Sequence, residues 1–269
     1  MPRRRTGSRV VDPTGSGRLE VVAVDGLGEI VPGDPLPDLI ATALAVSTRL
    51  LPLRDDDVLV VTQKVVSKAE GAIVDLTTVE PRPQAIEFAA RYDRDPRQVE
   101  VVLRQARRVV RMANGVIITE TPHGFICANG GIDASNVGPA SGSIVTLLPE
   151  DPDASADRIR TAIRERLGHD LPVIVSDSFG RPWRYGITDV AIGVSGLHPL
   201  EDLRGEPDAD GRVMRSTIRA VADELASAAE LVLGKATGRP LGLVRGAAFR
   251  RGEGRVRDML MPPETDLFR

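Results

Sequence analysis

The stretch Gly115-Val116-Ile117-Ile118-Thr119-Glu120-Thr121-Pro122-His123-Gly124-Phe125-Ile126-Cys127-Ala128 decides the fold class. Gly115 to Thr119 is apolar and β-branched, which suits a strand. Pro122-His123-Gly124 is a turn signal, and Phe125 to Ala128 is a second apolar run, so the stretch predicts a hairpin of antiparallel strands. Just upstream, Asp95-Pro96 reads as a helix N-cap with Pro at the first helical position. Val99, Val102, Leu103, Ala106, Val109 and Val110 then recur at steps of three and four, predicting a helix to about Met112. Nearer the start, Leu19 to Val24 and Val58 to Thr62 read as strands, the second continuous enough to be buried on both faces, and Pro37 to Leu51 as a helix. Downstream, Ser143 to Leu148, Pro172 to Ser176, Ile187 to Val194 and Leu241 to Val244 read as strands. Ala154 to Leu167 and Arg215 to Leu233 read as helices, ended by Gly168 and Gly234. The elements do not alternate strictly as strand and helix. With the hairpin, that predicts an α+β fold of mixed or antiparallel sheets with packed helices.

Composition narrows the function classes. Lys plus Arg is 35 and Asp plus Glu is 38, a net charge of −3, which gives no global field to recruit nucleic acid. Cys127 is the only cysteine, so an intramolecular disulfide and CxxC zinc motifs are excluded. His123, His169 and His198 are too far apart in sequence to form a local metal motif. No apolar run reaches the roughly 18 residues of a membrane span, and no secretory signal appears, so a soluble cytoplasmic protein is expected. Aromatic residues make up only 3%, so the core must be aliphatic. Residues 1–17, basic at Arg3, Arg4, Arg5 and Arg9 and broken by glycine and proline, read as a flexible tail. No repeat or linker divides the remainder.

Standard phosphate motifs fail. Gly26-Leu27-Gly28 opens like a dinucleotide fingerprint, but the next glycine is Gly33; Gly234-Lys235 resembles the end of a P-loop, but Ala236 replaces its Ser or Thr. Four polar segments instead interrupt or end apolar strands. Gly26 to Asp34 offers glycine backbone to an anion or a base, or is a plain strand-to-helix connection. Thr62-Gln63-Lys64-Val65-Val66-Ser67-Lys68 offers two lysines for phosphate contact, or is a solvated strand end. Read as strand, it puts Lys64 and Lys68 on one face. Ala128 to Val137 is an oxygen-rich loop holding Asp133, Ser135 and Asn136, suited to a hard cation or simply to a turn. Val173 to Arg184 places Asp177 and Ser178 at the end of an apolar strand, with Arg181, Arg184 and the only tryptophan, Trp183. Two aspartates, two lysines, two arginines and glycine-rich backbone suit a nucleoside triphosphate with divalent metal. No Ser-His-Asp or Cys-His arrangement for covalent catalysis is evident.

At these segments the chain resembles the coenzyme F420-0:L-glutamate ligase family, GTP-dependent γ-glutamyl ligases of deazaflavin cofactor biosynthesis. The stretches VVTQKVVSKAEG, GGIDASNVG, LPEDPDASA, VIVSDSFGRPWRYGITDVAIG and VADELASAAELVLGK carry the resemblance, in order, over nearly the whole chain from about residue 19 to 249. The resemblance implies a cytoplasmic homodimer that binds GTP without a P-loop, with a ligase domain over residues 18–255 and a C-terminal extension over 256–269. It assigns nucleotide contacts to Leu27, Gly28, Glu29, Ile30, Gln63, Lys68 and Asn136. It assigns Mg²⁺ or Mn²⁺ to Asp133, Asp177 and Ser178, with Asp223 and Glu224 adding nucleotide or second-metal contacts. Lys68, Asp177 and Arg181 form the implied catalytic set. The chain departs from the family pattern at Gly28, Gln63, Ser178 and Tyr185-Gly186-Ile187. The implied substrates are GTP, L-glutamate and F420-0. The terminal carboxylate of F420-0 would attack the γ-phosphate, and the acyl phosphate would pass to the glutamate amine. A metal-dependent nucleotide hydrolase and a non-catalytic nucleotide-binding protein are the alternatives.

Overall fold

A computed structural model describes residues 17–47, 52–134, 142–235 and 237–267. In chain order the strands and helices are β1 (Glu20–Ala23), α1 (Leu36–Val46), β2 (Val58–Thr62), α2 (Gln63–Ala69), β3 (Ile73–Asp75), α3 (Pro83–Tyr92), α4 (Pro96–Gln105), β4 (Arg108–Ala113), β5 (Val116–Glu120), β6 (Ile126–Ala128), β7 (Ile144–Thr146), α5 (Pro152–Leu167), β8 (Val173–Arg181), β9 (Arg184–Ser195), β10 (Glu201–Asp202), β11 (Ile218–Arg219), α6 (Val221–Leu233) and β12 (Leu241–Arg245). The class is α+β, as the sequence predicts.

The central sheet runs β1-β12-β2-β8-β9. Its pairs are antiparallel except β2 with β8, which are parallel. Helices cover both faces, which explains why β2 is apolar without alternation. Leu59, Val61, Val173 and Val175 face Ile40 and Leu44 of α1 and Ile159 and Ile163 of α5. Val58, Val60, Ile174 and Val244 face Leu225, Ala226 and Leu233 of α6. Val58 to Val61 are fully buried, and each such side chain contributes about 1.5–3 kcal/mol. Gly193 of β9 is required by this packing, because a Cβ there would lie 2.4 Å from the backbone of Pro152 at the start of α5.

A small lobe is inserted between α2 and β7. Its sheet, β4-β5-β6, packs Ile117 against Ala85, Phe88, Ala89, Val99 and Val102 of α3 and α4. The predicted hairpin is β5 and β6, with Ile118 opposite Ala128. The predicted helix over 95–112 is cut short. It ends at Gln105, Ala106 turns extended, and Arg108 to Ala113 pair with β5. Val109 and Val110 continue the helical spacing, yet their β-branched side chains also suit a strand, and the pairing with β5 decides. Helix α3, which begins on Pro83, lies in a stretch that the periodicity leaves unassigned.

Three further corrections bear on the site. The segment after β2 is not strand: the chain turns directly into α2, and Lys64 and Lys68 share a face as i,i+4 neighbours on a helix. Asp177 does not end its strand, because β8 runs on to Arg181 and returns as β9 from Arg184. The predicted helix from Arg215 starts only at Val221, since Ile218 and Arg219 pair with Asp202 and Glu201.

Candidate active site

The parallel pair sets the geometry. Thr62 of β2 lies opposite Ser176 of β8, so Gln63 and Lys64 leave one strand beside Asp177 and Ser178 on the other. The register of β8 with β9 slips between Val175 and Ser176, so Ile192 has no partner there. Such a bulge re-aims the strand locally. Beyond it, Asp177 faces Val190 and Ser178 faces Asp189. The loop before α1 closes another side: the Gly33 amide donates to the Ala69 carbonyl at 2.9 Å, laying that loop against α2. Asp133 is held by reciprocal backbone hydrogen bonds with Thr146, at 3.0 and 2.8 Å. The turn before it needs glycine: Gly131 has φ 68°, and a Cβ there would strike Leu148 at 2.8 Å.

These segments enclose a cleft of about 850 Å³, within the range of ligand sites. Its charges are paired across it. Lys64 Nζ lies 2.7 Å from Asp133 Oδ2, and Lys68 Nζ 2.5 Å from Glu29 Oε1. Lys235 Nζ lies 3.0 Å from Asp189 Oδ1 and 2.9 Å from Glu230 Oε1, and also touches Ser178 Oγ. Desolvation pushes the Asp177 carboxyl up to about 7; the Ser178 backbone amide opposes this, while the charges of Asp189 and Asp133 reinforce it. Burial works against the Lys235 ammonium, but Glu230 and Asp189 outweigh it and raise its pKa. The Cys127 thiol is pushed up to about 12 by burial and by Asp177, so it supplies no thiolate at neutral pH.

Gly28, Glu29, Ile30, Gln63, Lys68, Asp133, Asp177 and Ser178 all line the cleft. Gln63 is buried, and its Oε1 accepts from Ser67 Oγ at 2.6 Å. Leu27 packs against the central core instead. Asn136 lies outside the described residues. Arg181 is exposed near the tip of the β8–β9 hairpin and is not part of the cleft wall. Glu224 is also outside: its carboxylate pairs with Arg219 at 2.7 Å, and Asp223 accepts from the Ala191 amide at 2.8 Å. Their place is taken by Glu230 and Lys235, farther along the same segment, and by Asp189. Sequence reasoning misses Asp189, Glu230 and Lys235 as site residues; an aspartate inside the apolar run Ile187 to Val194 is the one signal that points to Asp189. Among the described residues, no group of three or more His, Cys, Asp or Glu side chains is arranged to hold a metal ion. Asp133 and Asp189 instead carry lysine ammonium groups.

Residues 26–246 match the F420-0:gamma-glutamyl ligase family. The chain belongs to this family. The match spans every wall of the cleft. The chain is 42% identical over 254 residues to the coenzyme F420:L-glutamate ligase of Methanothermobacter thermautotrophicus, covering 93% of this chain and 99% of that one. It is 44% identical over 257 residues to that of Methanopyrus kandleri, covering 94% and 97%. It is 43% identical over 219 residues to that of Methanocaldococcus jannaschii, covering 81% and 86%. Among the described residues no helix is long and apolar enough to cross a membrane.

Proposed function

We propose that the chain joins L-glutamate to F420-0 through an amide bond, with GTP as phosphoryl donor and Mg²⁺ or Mn²⁺ bound beside it. Family membership supports the acceptor and the amino acid. The observation that carries the nucleotide reading is the set of three ammonium groups, Lys64, Lys68 and Lys235, around one cleft of triphosphate size. No P-loop is needed when side-chain cations neutralise the phosphates.

The oxygen chemistry of the cleft suits a hard divalent cation, although among the described residues its carboxylates are not gathered around one point. Asp133, Asp177, Ser178 and Glu230 offer oxygen ligands. The raised pKa of Asp177 comes first from burial, with the charges of Asp189 and Asp133 adding to it, and a cation beside it would favour its ionised form. These four residues would hold the ion, with Glu230 replacing Glu224. A bound divalent ion supplies charge neutralisation at the phosphate oxygens. A triphosphate gives Lys64 and Lys235 new partners, which frees the Asp133 and Glu230 oxygens they now occupy. Lys68, buried and backed by Glu29, faces the transferring phosphoryl group. A carboxylate oxygen of F420-0 attacks the γ-phosphorus, the bond to the β-phosphate oxygen breaks, and GDP leaves. The glutamate amine then attacks the acyl carbon, and phosphate departs with the amine proton. The cleft's task is positioning and charge, with no protein nucleophile. Arg181 has no part in this reading.

The homodimer is also a proposal. Trp183, Tyr185 and Ile187 are 82%, 105% and 59% exposed on the β8–β9 hairpin, an apolar tip suited to a second copy. Replacing Trp183 and Tyr185 with Ser should shift the protein from dimer to monomer in sedimentation. A monomeric wild type would remove the proposal.

The test of function is mass spectrometry of F420-0 incubated with protein, GTP, Mn²⁺ and glutamate. The expected product is F420-0 carrying added glutamyl residues, with matching GDP. ATP should support a rate at least about tenfold lower, since an unpaired buried polar group on the base costs about 1–3 kcal/mol. GDP without glutamyl product would favour a hydrolase, and no nucleotide turnover would favour a binding protein.

A further inference from the structure

Asp189 is the buried centre of the cleft's polar network, and no substrate-binding role above calls on it. It is 2% exposed. Both carboxylate oxygens are engaged: Oδ1 accepts from Ser178 Oγ at 2.6 Å and from Lys235 Nζ at 3.0 Å, and Oδ2 accepts from Ser176 Oγ at 3.2 Å. Its backbone carbonyl accepts from Ser227 Oγ of α6 at 2.7 Å. One residue of β9 thus ties together β8, α6 and the segment after α6.

We infer that Asp189 is a positioning residue that fixes the Ser178 hydroxyl and the Lys235 ammonium on the phosphate-facing wall. Ser178 has one proton, and it is committed to Asp189. Toward the cleft its oxygen is therefore only an electron-pair donor, the form a hard cation takes. A serine whose proton was not committed could turn that proton toward the cleft and lose the role. Lys235 has two carboxylate partners, Asp189 below and Glu230 beside it. When a triphosphate draws Lys235 away from Ser178, the Asp189 bond keeps its ammonium on that wall. The distribution of contacts separates this role from a structural one. The two partners of Oδ1 line the cleft with functional groups, whereas Ser227 binds only the backbone of Asp189 and leaves the carboxylate untouched.

This inference rests on the metal- and GTP-dependent reading above, and the wild-type arm of the experiment tests that reading separately. The full chain and Asp189→Asn are compared for Mn²⁺ affinity by electron paramagnetic resonance, for kcat and KM, and for folding by circular dichroism. Asn keeps the shape and one acceptor oxygen but removes the charge. The expected result is a folded Asp189→Asn with Mn²⁺ affinity and kcat each reduced about ten- to hundredfold, the scale for outer partners of metal ligands. The KM for glutamate should be unchanged. Ser227→Ala should leave both quantities within about twofold of wild type. Asp189→Asn combined with Lys235→Met should be less impaired than the product of the single losses, because both act at one point. Wild-type protein that binds no Mn²⁺ and makes no product would overturn the functional reading itself. Given an active wild type, three results would overturn the role of Asp189: unchanged Mn²⁺ affinity and kcat in Asp189→Asn, an Asn variant that does not fold, or an equal loss in Ser227→Ala.

Discussion

Glu100 in the small lobe and Asp177 in the cleft are both carboxylates withdrawn from water, and their pKa values are driven in opposite directions. Burial works against the Glu100 anion, but hydrogen bonds from Arg82 and Arg104 outweigh it and hold the acid at about 2. Arg82 reaches both oxygens through Nε and Nη2, at 2.9 to 3.1 Å, and Arg104 Nε adds a bond of 2.7 Å. At Asp177 desolvation meets two further negative charges, and the acid rises to about 7. A carboxylate clamped by planar guanidinium groups is a closed structural unit. A carboxylate crowded by others in an open cleft destabilises the empty protein and invites a cation. The same contrast separates arginine in the small lobe from lysine in the cleft, where compact ammonium groups can change partners.

The sharpest way to break this comparison is to remove the charge at each acid. Asp177→Asn should lower ligation by at least about a hundredfold, because a neutral amide is a poor ligand for a hard cation. Near-normal turnover at saturating Mn²⁺ would take Asp177 out of the site. Lys68→Ala should cost about tenfold or more in kcat/KM for GTP, the loss of one charge-assisted contact to phosphate. Lys68→Arg should recover part of it. Steady-state kinetics with unchanged values would remove Lys68. Glu100→Gln should leave kcat intact and destabilise the fold by about 1–3 kcal/mol, the effect of breaking a buried charge-assisted network. Denaturant unfolding that matches wild type would show the clamp to be idle.

Acidity should separate the two regions further, though by a smaller effect. Folded Asp177 binds its proton near pH 7, and the ordinary value is 3.8. Its contribution therefore favours the metal-free fold increasingly as pH falls from about 7 toward 4. Glu100 behaves in the opposite sense, with about 2 in the fold against an ordinary 4.5. The stability it provides is complete above pH 4.5 and is lost as pH falls through about 2. Thermal unfolding of Asp177→Asn and Glu100→Gln across this range should each lack one of the two limbs. A wild-type slope retained in both variants would refute the assignment.

Much of the central sheet is legible in the sequence because long apolar runs have a single use. Val58 to Thr62 reads as a strand buried on both faces, and it is one. The small lobe is harder to read, because Val109 and Val110 satisfy helical spacing and strand propensity at once; only the pairing of Val109 and Arg111 with β5, with Val110 at a bulge between them, makes the segment a strand. Within the site, the residues near the parallel pair, Asp133, Asp177, Ser178 and Lys68, come from dense polar stretches beside apolar ones. Glu230 and Glu224 illustrate the limit. Both are acidic residues of one amphipathic helix, and which one faces the cleft depends on how α6 lies against the sheet. The family resemblance points to Glu224, but its carboxylate pairs with Arg219 outside the cleft. Arg181 likewise depends on tertiary placement, since continuing β8 past Asp177 carries it to the hairpin tip, outside the cleft wall.

The most direct test of this contrast is the thermal unfolding of Asp177→Asn at pH 7.5 (a value above both acids' pKa), with and without Mn²⁺ and GTP, beside Glu100→Gln. Asp177→Asn is expected to unfold at or above the wild-type temperature when empty and to gain little from Mn²⁺ and GTP. Glu100→Gln should unfold lower and keep the full ligand-induced rise. A destabilised Asp177→Asn that still gains the wild-type rise would show its carboxylate to be structural and not a ligand.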